Sequence, residues 1–121
     1  MKQLISGFMI LFIGLSSFAQ QKVELRRIRQ YNGDSVIVCG QMSKGQYDSL
    51  ATGKPTFLFI GSVSPAQQLT VTIDGESRKK FALRPEEVFY LKNVCITGKV
   101  KVVQNKAAIA VSKPEQIVVR E

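Results

Sequence analysis

Histidine is absent from this 121-residue chain. Without an imidazole, general-base chemistry of the usual kind and histidine metal sites are excluded. Cysteine is scarce: Cys39 and Cys95 are the only two. Two thiolates cannot complete a four-ligand zinc site, and these lack the Cys-x-x-Cys spacing of a redox motif. A phosphate loop is missing as well. Gly53-Lys54-Pro55-Thr56 lacks the first glycine at the required spacing, and Pro55 interrupts the Lys–Thr pair. The carboxylates are scattered, and the Glu86-Glu87 pair suits the start of a helix. There is no internal repeat, no low-complexity tract and no long block of like charge. The chain therefore reads as a binding module rather than an enzyme, with no cofactor and no metal.

What is present begins with an address. Lys2 precedes an apolar run of about twelve residues, Leu4 to Leu15. Ser17 and Ala19 then supply small residues at the minus-three and minus-one positions of a cleavage site. This is the build of a secretory signal peptide over residues 1–19. The run is shorter than the ~20 residues that span a bilayer. No cysteine stands directly after it, so it offers no obvious lipid attachment point. The expected product starts at Gln20, has 121 − 19 = 102 residues, and is exported, periplasmic or secreted, with no stable membrane insertion after cleavage.

That product suffices for one domain with a modest core. It carries 17 − 1 = 16 Lys and Arg against 9 Asp and Glu, a net charge of +7. Such a surplus favours anionic partners: nucleic acid, acidic glycans or anionic headgroups. Solubility alone is the plainer explanation. In an oxidising compartment the two cysteines suggest a disulfide. It would add ~4 kcal/mol in the chain-entropy model. A pair of buried thiols is the alternative.

Residues 20–34 form an N-terminal extension. Leu25, Ile28 and Tyr31 share a helical face that Gly33 would end; a polar leading strand is the other reading. Ser35 to Met42 reads as a strand, and Ser43 to Pro55 as a long polar loop. Thr56 to Ile60 is a strand with two apolar faces. Leu69 to Asp74 alternates strictly, with Leu69, Val71 and Ile73 on one side and Thr70 and Thr72 on the other. Asp74-Gly75 is a turn signal. Pro85 opens a short helix reaching about Leu91. Asn93 to Val103 is a long strand, with Val94, Ile96, Val100 and Val102 opposite Cys95, Thr97, Lys99 and Lys101. A turn at Gln104-Asn105-Lys106 leads to a last strand, Ala107 to Val111.

The segments YNGDSVIVCG, PTFLFIG, LTVTIDGESRKKF and NVCITGKVKVVQNKAAIAVSKPEQI, taken in order, resemble small exported bacterial OB-fold domains. The resemblance covers Ser35 to Val118. It implies an all-β fold with one short helix: a five-stranded, OB-fold-like Greek-key barrel over residues 35–121. The hairpin turn departs from the pattern, since Gln104-Asn105-Lys106 has no glycine. The resemblance makes the first and fourth strands neighbours. If the valine faces of both point inward, Cys39 and Cys95 face outward within bridging reach.

The same resemblance assigns a destination to the second apolar face of KPTFLFIG. With Leu69, Val71 and Ile73 inside, Leu58 and Ile60 fill the barrel. Phe57 and Phe59 then stand outside, beside Thr70 and Thr72. In OB-folds the outer face of the second and third strands is the usual ligand face, and aromatics there stack bases or sugars. Tyr47, Lys44 and Lys54 would flank it from the first loop, Arg78, Lys79 and Lys80 from beyond the third strand, and Lys106 from the last turn. The expected ligand is single-stranded nucleic acid or another anionic polymer. A protein partner or homodimer, an envelope-stress role and oligosaccharide binding stand as alternatives. Loop cover over the two rings, or a plain solvated turn at Arg78-Lys79-Lys80, would need no ligand.

Overall fold

The structure is a computed structural model that describes residues 20–62 and 68–120; the leader at 1–19 lies outside the described residues. Among the described residues, seven strands are ordered around one core: β1 Gln21–Val23, β2 Ser35–Tyr47, β3 Thr56–Ile60, β4 Leu69–Ile73, β5 Asn93–Val103, β6 Lys106–Ala110 and β7 Ile117–Val119. Two short helices, α1 Gly75–Arg78 and α2 Pro85–Val88, lie between β4 and β5. Five strands close a barrel in the order β2-β3-β4-β6-β5, with β5 returning to β2. All its pairings are antiparallel except β4 with β6. This is the OB-fold topology. β1 and β7 add short strands beside β2 and β5.

Alternation decides the interior. β3 and β4 each bury every second residue: Thr56, Leu58 and Ile60, then Leu69, Val71 and Ile73. Val36, Val38, Met42, Val94, Ile96, Val100 and Ile109 complete the packing. Residues 25–31 form a 3-10 helix whose Ile28 is fully buried. Leu25, Ile28 and Tyr31 are three apart, the spacing that a 3-10 helix, with three residues per turn, lays along one face.

Four local expectations need correcting. β2 runs on to Tyr47, so SKGQY is strand rather than loop, and only residues 48–55 connect it to β3. Ser43 is an extra residue: the register steps from Met42↔Ile60 to Lys44↔Phe59, and the Ser43 hydroxyl donates to the Phe59 carbonyl at 3.2 Å. Such a bulge bends a strand, which lets one β2 serve both β5 and β3. Secondly, Asp74-Gly75 opens a helical turn. The Asp74 carboxylate accepts from the Ser77 amide at 2.7 Å, capping α1. The Ser77 backbone bond also holds the Asp74 carboxyl below its ordinary pKa. Thirdly, α2 ends at Val88; beyond it Leu91 takes a left-handed conformation, φ 62°. Fourthly, the last barrel strand spans Lys106–Ala110 rather than 107–111.

Cys39 and Cys95 sit directly opposite in the β2–β5 ladder with Cα atoms 4.0 Å apart, and they are bonded. Both are half-buried on the outward side. The bridge therefore clasps the seam where the barrel closes.

Candidate functional site

The outer face of β3 and β4 follows from parity. With Leu58 and Ile60 inside, Phe57 and Phe59 are left half-buried on the outside. The ladder sets Phe57 opposite Thr72 and Phe59 opposite Thr70. On the other flank Gln46 faces Phe57 and Lys44 faces Phe59. Across β4, Thr70 pairs with Ala108 and Thr72 with Ala110, and Ala108 pairs in turn with Lys101. One row thus crosses five strands: Lys44, Phe59, Thr70, Ala108, Lys101. At ~4.8 Å per strand step it runs about 19 Å around the curved outer wall, because these five strands make up the closed barrel. A second row, Gln46, Phe57, Thr72 and Ala110, lies about 7 Å away along the strands.

The outward-pointing charge along these rows has one sign. Lys44, Lys99, Lys101 and Lys106 share its outward parity and are exposed. None of them joins any of the five ion pairs among the described residues. No residue in the two rows is acidic. The carboxylates that pair with cations do so elsewhere: Glu24 with Arg26 and Arg27, Glu76 with Lys79, Glu86 with Arg78, Glu87 with Arg84. The result is two rings and a floor of small residues between unpaired ammonium groups. Such a surface can stack planar groups and attract anions. The described residues hold no His, Cys, Asp and Glu cluster fit for a metal ion.

Several residues expected at this site lie apart from it. Tyr47 pairs with Thr56, whose side chain points inward, so its ring is on the opposite side of the sheet from Phe57. The Arg78 guanidinium covers the Tyr47 ring, 3.7 Å from the centroid. Arg78 also donates to the buried Thr56 hydroxyl at 2.7 Å and to both Glu86 oxygens, at 2.6 and 3.0 Å. Arg78 and Glu86 side chains are only 15% and 14% exposed, so this cluster fastens α1 and α2 to the barrel end. Burial alone would raise the Glu86 carboxyl, but the Arg78 hydrogen bonds and charge outweigh it and hold its pKa below the ordinary value. The same hydrogen bonds to Glu86 raise Arg78.

Lys54 and Lys79 line a pocket of about 610 Å³ beside Tyr47, together with Asp74 and Glu76. Its charge is mixed, and Lys79 is already paired with Glu76 at 3.3 Å. Lys80 reaches the Ser112 carbonyl at 3.2 Å on another part of the surface. The structure thus brings together Lys44, Phe57, Phe59, Thr70, Thr72 and Lys106, and sets Tyr47, Lys54, Arg78, Lys79 and Lys80 elsewhere. Lys99 and Lys101 were absent from the expected set, although their alternation against Val100 and Val102 places them on the outside.

No protein-family model and no curated protein matches the sequence. Solved structures do. Yeast Stn1 and Ten1 matches with a TM-score of 0.61 at 12% identity, over 86% of this chain and 64% of that chain. Aspartyl-tRNA synthetase from Entamoeba histolytica matches with a TM-score of 0.59 at 16% identity, over 97% of this chain and 28% of that chain. The hypothetical protein ygiW from E. coli matches with a TM-score of 0.52 at 16% identity, over 90% of this chain and 100% of that chain. At such identities the likeness shows the fold, which is the OB barrel. The chain spans less than two-thirds of the first two proteins.

Proposed function

We propose that this protein is an exported OB-fold module that binds single-stranded nucleic acid across the outer face of β3 and β4. The observation that carries the reading is the unpaired, single-sign charge of a face that also bears two rings. Phe57 and Phe59 offer stacking platforms for successive unpaired bases, worth ~1–3 kcal/mol per base. Thr70 and Thr72 provide hydroxyls beside them, and Lys44 and Lys106 attract phosphates. Stacking needs an exposed base face, which a duplex hides. The tRNA synthetase among the similar structures acts on a nucleic acid by its name, and this supports the ligand class. Export is supported by the leader at 1–19 and by the Cys39–Cys95 bridge, which suits an oxidising compartment. Among the described residues no helix is long and apolar enough to cross a membrane.

Fluorescence anisotropy with a labelled oligo-dT tests the reading, using the chain from Gln20. Binding should weaken linearly in log salt. F57L/F59L keeps apolar bulk outside the barrel but removes the rings. Two lost stacks of ~1 kcal/mol or more each predict a loss of roughly 30-fold or greater. Absence of binding at low salt, together with a dimer in solution, would instead make the same face a protein contact.

A further inference from the structure

Lys99 and Lys101 lie beyond the ring platform of β3 and β4 and border a groove of about 650 Å³. Its floor is Thr72, Ala108 and Ala110, small side chains on β4 and β6. Its far wall is the turn at Asn32 and Gly33, from the N-terminal extension. That turn is pinned to β5: the Gly33 amide donates to the Val100 carbonyl at 2.7 Å, and the Val102 amide donates to the Asn32 Oδ1 at 2.9 Å. The Val100 amide closes the set by donating to the Asp34 carbonyl at 2.9 Å. The groove is thus a formed feature, built jointly by the barrel and the extension.

Thr72 belongs both to this groove and to the phenylalanine row, so the two are continuous. The groove differs from the ring side in chemistry. It carries no aromatic side chain to stack on, and its lysines are unpaired. A low floor with cations at its rim suits the backbone of a chain already anchored by its bases.

We infer that Lys99 and Lys101 form a phosphate-binding second half of the site, so that a nucleotide strand runs from Phe57 and Phe59 over Thr72 and Ala108 to the β5 edge. This rests on the nucleic-acid reading above and extends it. From Phe59 to Lys101 the path is three strand steps, about 14 Å, and about 19 Å with Lys44 included, which fits the low end of OB-fold site sizes, roughly four nucleotides. A mononucleotide or dinucleotide on the rings would leave the lysines unused.

An oligo-dT length series tests it, with K99A/K101A beside the unaltered chain. Affinity should rise steeply from (dT)2 to about (dT)4 and level off afterwards. In K99A/K101A that rise should shrink while (dT)2 binding stays the same. The log–log salt slope for (dT)8 should become shallower by about 1.4, that is two phosphate contacts at ~0.7 each. Both substitutions are at exposed positions, and an unchanged circular dichroism spectrum checks the fold. If (dT)8 binds the unaltered chain but K99A/K101A leaves slope and length dependence alone, the second half-site is wrong and the ring platform stands. If the unaltered chain binds no (dT)8, or a sulfated oligosaccharide displaces it at equal concentration, the underlying reading fails as well.

Discussion

Arg78 shows how one residue changes meaning between sequence and structure. In the run Arg78-Lys79-Lys80 it reads as one more cation on a polar surface. In the barrel it joins Thr56, Glu86 and Tyr47 at one point, and its charge is spent there. Glu86 is the readable half of that pair. Its folded pKa lies below the ordinary value of 4.5, so its ionisation adds stability above that pH. The contribution is lost as pH falls through the depressed folded value. E86Q should therefore lose stability at neutral pH and unfold with a flatter pH dependence in acid. Urea melts from pH 7 to pH 3 provide the check. Equal acid sensitivity of E86Q and the unaltered chain would show that the pair carries no linkage. Tyr47 was misread for a related local reason. It reads as part of a flanking loop, because the polar run SKGQY carries no strand signal, and simple alternation from buried Met42 would also put it outside. The extra residue at Ser43 inverts every side chain after it, and a bulge in a polar stretch leaves no apolar rhythm to betray it.

Elements were legible where one face is buried and unbroken. The strict alternation of β4 and the apolar length of β3 fix both strands and the outward direction of Phe57 and Phe59. The second half of β2 was not legible, because SKGQY has neither alternation nor β-branched residues. What makes it a strand is tertiary: it pairs with β3, and α2 lies directly on it. A Cβ at Gly45 would come within 2.9 Å of the Glu86 Cα, so glycine is needed for that approach. The β5–β6 hairpin is a different case. Gln104 and Asn105 both take left-handed conformations, φ 52° and 65°, as a two-residue type I′ turn requires. Glutamine is a poor residue there, and Asn-Gly is the favoured pair. Q104N/N105G should stabilise the fold by about 1 kcal/mol, seen as a higher urea midpoint at constant slope. A lower midpoint would mean that the native side chains make contacts that the turn geometry does not reveal.

At the scale of the whole molecule, the division of charge matters most. A basic chain has few acids to spend, and here the paired ones serve the 3-10 helix, α1 and α2. The barrel wall formed by β3, β4, β6 and β5 keeps its lysines free. The seam bridge at Cys39–Cys95, closing 56 residues of sequence, holds that wall in register with about 4 kcal/mol in the chain-entropy model. Composition left an anionic partner and plain solubility both open, and strand parity located the rings. The β5 lysines enter the proposed site only because β6 lies between them and β4, a neighbour relation that strand order in the sequence does not reveal.

Amide chemical-shift mapping during titration with (dT)8 tests the proposed face most directly. The largest changes should fall on Lys44, Phe57, Phe59, Thr70 and Thr72 and extend to Lys99 and Lys101, with Tyr47, Arg78 and Glu86 undisturbed. Changes centred on the Tyr47–Arg78 end of the barrel, or none at all at low salt, would contradict it.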